Sequence, residues 1–148
     1  MRGPLTRRVT GLLPCALVLG TLCLAGTLQV LALDGVVIAN ESAPGTSVTA
    51  AQLKDIYAGK TMYWDGGAAV TIVFIADKTD AALKEVSGMD TSAFKTFWQR
   101  LAFSGRGQAP KKADDAAAAV ALVAATKGAI AIVPADADIK GVKKLEVK

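Results

Sequence analysis

The reactive chemistry open to this chain is limited first by the side chains that it lacks. The sequence contains no histidine, and its two cysteines, Cys15 and Cys23, both lie in an uncharged stretch near the N-terminus. Residues 33–148 therefore lack the usual ligands of zinc, haem and copper, and disulfides are excluded there. Ser-His-Asp and Cys-His catalysis are excluded as well, and no close acidic pair lies beside a credible nucleophile. The sequence predicts a non-catalytic protein that needs no metal or cofactor.

Hydroxyl and charged side chains remain as candidates for binding, and each has two interpretations. Ser47 and Thr49 could face a ligand at the strand ends, where open α/β sheets bind small molecules, although capping a helix is the more ordinary role. The stretch DKTD at 77–80 could bind a ligand or be a strand-to-helix turn in which Thr79 or Asp80 is the N-cap. Arg106 could contact an anion or belong to a solvated basic loop.

The N-terminal region has the pattern of an export signal. Arg2, Arg7 and Arg8 precede residues 9–33, which carry no charge. This order predicts a signal peptide over 1–32, cleaved ahead of Leu33, and hence a periplasmic or otherwise exported protein. An uncleaved membrane anchor is the alternative, because the apolar run is long. The adjacent arginines also fit twin-arginine export, although a Sec-type signal fits the region as a whole.

The basic character of the chain belongs to this N-terminal region. The full sequence has 17 Lys and Arg against 13 Asp and Glu, a net charge of +4. Without the three N-terminal arginines the balance is 14 against 13, or +1. Residues 33–148 are thus nearly neutral, and the sequence predicts no nucleic-acid partner and no membrane contact beyond the N-terminal segment.

The remaining residues have the length of one domain, and their pattern alternates between strand and helix. Apolar, β-branched runs predict buried strands at 36–39, 70–75 and 129–133, and the alternation over 142–147 predicts an edge strand. Capping residues and helical spacing predict helices over 50–58, over 79 or 80 to 86, after Asp90, and over the alanine-rich 113–125. A loop is expected over 104–112. We expect an α/β fold whose aromatic core contains Tyr63, Trp64, Phe94, Phe97 and Trp98.

Several segments in the same order resemble one family. The sequence LKDIYAGK at 53–60, followed by YWD at 63–65, is similar to the L-x-D-I-Y-x-G-K and W-x-D segment of phosphate-type periplasmic binding proteins of ABC transporters. Residues 97–98 and 103–105 match the helix and glycine-rich turn of that family, and GAIAIV at 128–133 resembles its G-A-I-G-Y-V strand. The resemblance covers essentially all of 33–148 but only one of the two lobes of a full binding protein. It implies a single periplasmic-binding-protein-like lobe, with a mixed sheet flanked by helices.

The resemblance also implies an anion site. In the family, the loop R-x-x-D-G-S-G-T holds an oxyanion with an arginine, hydroxyls and the N-terminus of a helix. The corresponding stretch here is FIADKTDA at 74–81, in which Asp77 and Thr79 match or nearly match and Lys78 adds a positive charge. The implied ligand-binding residues are Asp77, Lys78 and Thr79, with Ser47 and Thr49 as further candidates.

Besides Lys78, which stands at the first glycine, three positions of this loop depart from the family pattern. Phe74 replaces the arginine, which removes the strongest charge-assisted contact to an anion. Asp80 replaces a glycine and adds a negative charge, and Ala81 replaces a threonine. The site is therefore expected to be a degraded form of the family's site.

Two functions follow from these observations. The first is an exported solute-binding domain for phosphate or another small oxyanion. A lone lobe supplies about half of the contacts of a two-lobed protein, so tight binding would require a homodimer or another exported protein, such as a transporter component. The alternative is a non-catalytic interaction module that kept the lobe fold without the ligand.

Overall fold

The computed structural model describes residues 33–75 and 78–148, so the predicted signal segment 1–32 and Asp77 lie outside the described residues. The described elements alternate between strand and helix along the chain. They are β1 (Val36–Ala39), β2 (Ser47–Val48), α1 (Ala50–Tyr57), β3 (Thr71–Ile75), α2 (Asp80–Ser87), α3 (Thr91–Phe103), β4 (Lys111–Ala113), α4 (Ala116–Ala125), β5 (Ala129–Val133) and β6 (Lys143–Val147). The predicted α/β class is confirmed.

The strands form one mixed sheet of six strands in the order β2-β6-β1-β5-β3-β4. Strand β1 is antiparallel to both of its neighbours, β5 and β6. The other neighbouring pairs, β2 with β6, β3 with β4 and β3 with β5, are parallel. Five strands therefore run in one direction, and β2, β3 and β4 end at the same edge of the sheet, which we call the carboxyl edge.

The sheet is covered on both faces, which explains why its central strands are apolar throughout. All five residues of β3 and all five of β5 are buried. Successive side chains of a strand point to opposite faces. Accordingly, Ile72 and Phe74 pack in the core that α1, α2 and α3 share, whereas Val73 and Ile75 pack against α4. Continuous apolar runs are typical of strands covered on both sides.

Three of the helices begin at side-chain caps, of which Thr49 and Asp90 are predicted by the sequence. Thr49 and Gln52 form a reciprocal capping box at the start of α1. The Asp90 carboxylate accepts from the N–H of Ala93 in α3, and the Asp115 carboxylate accepts from the N–H of Ala118 in α4. Each cap satisfies a backbone donor that has no partner inside its own helix.

The edges of the sheet differ from the prediction. Residues 142–147 were expected to form an edge strand, but β6 lies between β2 and β1. The alternation is real, because Leu145 is buried between exposed Lys144 and Glu146. An alternating pattern indicates that one face of a strand meets solvent. Whether the strand lies at the edge of the sheet depends instead on whether it has hydrogen-bonded neighbours on both sides. The edges are instead β2 and β4, and neither short strand was predicted.

Two further expectations need correction. The C-terminal end of the expected loop over 104–112 belongs to β4, and the alanine-rich helix begins at Ala116 because Asp115 caps it. Tyr63 is not in the core, since 64% of its surface is exposed. It lies in a turn joined by a single bridge to Ala69. Phe94 and Trp98 are buried as predicted, and Trp64 and Phe97 pack at the border of the core.

Candidate functional site

The site implied by the sequence lies where β3 leads into α2, at the carboxyl edge. Helices α1, α2 and α4 follow the ends of β2, β3 and β4, so their N-termini share this edge. In open α/β sheets, ligands bind outside the carboxyl ends of the strands. The N-terminus of a helix also favours anions, through its free N–H groups and its dipole.

Thr79 occupies the N-cap position of α2, but its hydroxyl does not cap the helix. The side chain is only 4% exposed, and Oγ1 donates to the carbonyl of Ile75 at 2.8 Å. The hydroxyl proton is therefore committed to the end of β3 and is not offered to a ligand. The first turn of α2 consequently receives no hydrogen bond from its own N-cap side chain.

Asp80, the first residue of α2, is bonded to the neighbouring helix. Its Oδ1 accepts from the backbone N–H of Thr91 at 3.1 Å and from the Thr91 hydroxyl. These hydrogen bonds, the hydroxyl first, lower the pKa of the Asp80 carboxyl below its ordinary value. The negative charge that the sequence suggested would repel an anion is thus held at the N-terminus of α3.

Lys78 is exposed and forms no ion pair with any residue that the structure describes. Phe74, at the position of the family's arginine, is a core residue: its ring lies 5.9 Å from that of Phe94 in an edge-to-face arrangement. The Lys95 ammonium lies 5.7 Å from the centre of the Phe74 ring. Phe74 therefore contributes packing and no charge at this position. Lys78 is the positively charged residue that the sequence predicted for this loop.

The structure does not bring Ser47 and Thr49 to this place. Both lie at β2, whereas the loop before α2 follows β3, four positions away in the sheet order. With strands about 4.8 Å apart, the two groups are separated by roughly 19 Å. Thr49 is moreover engaged with Gln52, through the N–H of Gln52 at 3.1 Å and its Oε1 at 3.2 Å. The more ordinary interpretation of Thr49, helix capping, is confirmed.

A buried phenol, that of Tyr57, lies next to the candidate loop, and no sequence pattern indicates that its hydroxyl is buried. Tyr57 packs on the buried face of α1 and lines a small void with Thr79, Leu83 and Phe74. Its hydroxyl has no hydrogen-bond partner in the described part of the chain. Burial raises the pKa of the Tyr57 phenol above its ordinary value. The hydroxyl is therefore neutral and unsatisfied.

Residues 33–75 and 78–148 contain neither a cluster of metal ligands nor a helix that could span a membrane. No group of three or more His, Cys, Asp or Glu side chains is placed there to hold a metal ion. None of the helices in the same residues combines the length and the apolar composition needed to cross a membrane. At the end of β3, the geometry thus offers the exposed Lys78 and a helix N-terminus that receives no cap from its N-cap side chain.

The chain belongs to a known family, since the model of the PBP superfamily domain matches residues 26–146. A comparison with curated proteins found no match. Among solved structures, a candidate phosphate ABC transporter substrate-binding protein from Clostridium perfringens, solved with bound phosphate, is 23% identical with a TM-score of 0.58. An ABC-type phosphate transport receptor from Vibrio cholerae is 19% identical with a TM-score of 0.52.

These two matches cover 77% and 79% of this chain but only 45% and 47% of the solved proteins. The chain therefore spans less than half the length of the structures that it resembles. At these identities the likeness shows the fold. The predicted relation to periplasmic-binding-protein-like domains is confirmed, and so is the mixed sheet flanked by helices.

Proposed function

We propose that this chain is an exported, non-catalytic solute-binding domain that binds a small oxyanion of the phosphate class at the N-terminus of α2. The observation that carries the proposal is the hydrogen bond from the Thr79 hydroxyl to Ile75. Because this hydroxyl is turned toward β3, Thr79 leaves the first-turn N–H groups of α2 to other acceptors. A helix N-terminus of this kind favours an anion.

The charges around α2 support the same proposal. Lys78 immediately precedes the N-cap and supplies an exposed positive charge. The Asp80 carboxylate is bonded to Thr91, where the positive end of α3 offsets part of its charge. The oxyanion would thus be held by backbone N–H groups and Lys78. The Thr79 hydroxyl and an arginine would take no part.

We expect weak binding, since the bidentate arginine is absent. Such a contact is about twice as strong as a neutral hydrogen bond. A dissociation constant between about 0.1 and 5 mM is the expected range, which corresponds to roughly 3 to 5.5 kcal/mol. Tighter binding would require a second lobe that closes on the ligand. A second copy of the chain or another exported protein, such as a transporter component, is proposed to supply it.

The test is calorimetric titration of the purified full-length chain with phosphate at low ionic strength, with sulfate as a comparison. A neutral detergent is present throughout, because residues 9–33 carry no charge. Saturable binding that Lys78→Ala weakens by at least threefold is expected. Lys127→Ala, at the opposite edge of the sheet, is the matched control and should bind as the unaltered chain does. Absence of heat up to 20 mM phosphate would reject the proposal.

The second candidate function is a non-catalytic interaction module that retains the lobe fold without a ligand. The observation that favours it is the position of Phe74, which is only 5% exposed and packs against Phe94. The family's arginine has thus been replaced by a core residue, so the loop has gained packing and lost its main anion contact. Absence of measurable heat in the titrations with phosphate and with sulfate would favour this function.

A further inference from the structure

A second pocket lies at the opposite edge of the sheet, far from α2. It has a volume of about 150 Å³ and lies between two loops, at the start of β3. One loop is the turn before β3, which contributes Met62, Tyr63, Ala69 and Val70, and the other follows α3 and contributes residues 105–108. This pocket is independent of the proposed function, because it shares no residue with the α2 site.

Both walls of the pocket are fixed by hydrogen bonds. The indole N–H of Trp64 donates to the carbonyl of Gly128 at 2.9 Å, which holds the first loop on the start of β5. The hydroxyl of Thr71 donates to Oε1 of Gln108 at 3.0 Å, which holds the second loop on β3. The backbone N–H of Arg106 donates to Leu101 at 3.0 Å, so the loop continues directly from the end of α3.

The polar side chains that line this pocket, Tyr63, Arg106 and Gln108, can each donate a hydrogen bond. Arg106 forms no ion pair with a described residue, and the Nε2 group of Gln108 donates to none. Tyr63, 64% exposed, adds a phenol. No carboxylate belongs to the lining. Such a set of donors, with a permanent positive charge among them, is suited to an anion.

Part of the pocket lining is apolar. Met62, Ala69 and Val70 line it, and the side chains of Met62 and Trp98 both lie close to Gly107. A pocket of 150 Å³ is also small beside those that hold drug-sized ligands, which occupy roughly 300 to 1,000 Å³. These features favour a ligand that joins one anionic group to a compact apolar body, and they disfavour a fully hydrated inorganic anion.

We infer that this pocket binds a carboxylate attached to a small apolar group. Arg106 pairs with the carboxylate, Gln108 donates a second hydrogen bond, and the apolar part contacts Met62 and Val70. Either a free monocarboxylic acid or the C-terminal residue of a peptide presents this chemistry. Phe103, 92% exposed at the end of α3, lies two residues before the loop and is available to a longer, peptide-borne ligand.

Benzoate is the first probe, added to the full-length chain in neutral detergent and followed by the fluorescence of its tryptophans and by calorimetry. Saturation in the millimolar range is expected, with at least a tenfold loss of affinity in Arg106→Ala and a similar loss in Gln108→Glu, which adds a repelling charge. Arg100→Ala is the matched control, because Arg100 is exposed on α3 outside the pocket. It should bind benzoate as the unaltered chain does.

The two possible sources of the carboxylate, a small free acid and a peptide C-terminus, are distinguished with N-acetyl-glycyl-phenylalanine and its C-terminal amide. Binding of the free acid at least tenfold tighter than benzoate, weakened by Phe103→Ala, would identify a peptide C-terminus, whereas equal affinity would identify a small free acid. The amide should not bind. Benzoate affinity unchanged in Arg106→Ala, or no saturation up to 20 mM, would overturn the inference. Lys78→Ala should leave benzoate binding intact, so failure of the phosphate site and failure of this site are separable.

Discussion

The carboxylate of Asp80, in the first turn of α2, accepts hydrogen bonds from both the backbone N–H and the hydroxyl of Thr91, the first residue of α3. This relationship joins the starts of two helices and holds a negative charge that lies beside the proposed anion site. It gives Asp80 a structural role that its place in the sequence does not reveal. Asp80 therefore affects both the stability of the fold and the affinity of the loop.

Replacing Asp80 separates these two roles. Asp80→Asn keeps an oxygen that can accept from Thr91 but removes the charge, so we expect phosphate affinity to rise two- to fivefold, since one nearby negative charge is gone. Asp80→Ala removes the acceptor as well and should also lower the melting temperature. Calorimetric titration and thermal unfolding of both variants provide the measurement. Weaker phosphate binding in Asp80→Asn would contradict the charge argument.

The same carboxylate makes a pH-dependent contribution to stability. Its pKa is lowered in the folded chain, so the contribution is complete above the unfolded pKa, near 3.9. It is lost as the pH falls through the still lower folded pKa. The stability difference between the unaltered chain and Asp80→Ala should therefore be constant near neutral pH and shrink below about pH 4. Chemical unfolding at pH 7, 5 and 3 measures this difference.

Thr79 gives a prediction that distinguishes its structural role from a ligand contact. In Thr79→Val the shape is conserved, but the carbonyl of Ile75 loses the donor that lies 2.8 Å away. We expect a loss of about 1 kcal/mol in the free energy of unfolding. Phosphate affinity should stay within twofold, because the hydroxyl is not offered to the anion. A tenfold loss of affinity without a loss of stability would show that the hydroxyl turns toward the ligand.

Asn40 connects the end of β1 to the end of α4. Its Nδ2 donates to the carbonyls of Val123 and Ala124, each at 2.8 Å, and its Oδ1 accepts from the N–H of Ser42 at 2.9 Å. The side chain is only 7% exposed. Asn40→Asp would point a carboxylate at two carbonyl oxygens and should cost about 2–3 kcal/mol of unfolding free energy. Denaturant unfolding near pH 7 tests this, with exposed Glu41→Gln as the neutral control.

The elements that could be predicted from the sequence are those with a local physical cause. Strands β1, β3 and β5 are apolar runs buried on both faces, and Thr49, Asp90 and Asp115 cap the helices that follow them. Strands β2 and β4 have two and three residues and depend on β6 and β3 for their hydrogen bonds. No local pattern marks strands that are so short.

The candidate site could be predicted only in part, for a similar reason. The loop before α2 could be predicted because it consists of consecutive residues, and the structure places Lys78 at the helix N-terminus as expected. Whether Ser47 lies near that loop depends on the order of strands in the sheet, which only the whole fold determines. The engagement of Asp80 with Thr91 likewise depends on how α2 and α3 pack, and no spacing rule within one helix reveals it.

Tyr57 supplies the last prediction, because its phenol is fully buried and its hydroxyl has no partner among the described residues. An unsatisfied buried hydroxyl costs free energy of desolvation that no hydrogen bond returns. Tyr57→Phe keeps the ring that packs against Phe94 at a centroid distance of 6.1 Å and removes only the oxygen. We therefore expect this variant to be more stable than the unaltered chain by about 1 kcal/mol near pH 7.

The stability gain of Tyr57→Phe over the unaltered chain should increase in alkaline solution. The folded pKa of Tyr57 is raised, so the phenol stays protonated in the fold and ionises first in the unfolded chain, above a pKa of about 10. The unaltered chain thus loses stability above that pH, and Tyr57→Phe does not lose this contribution. Urea unfolding of both chains at pH 7 and 10.5 isolates the effect, because other titrating groups are common to both. A less stable Tyr57→Phe at pH 7 would show that the hydroxyl has a hydrogen-bond partner in solution.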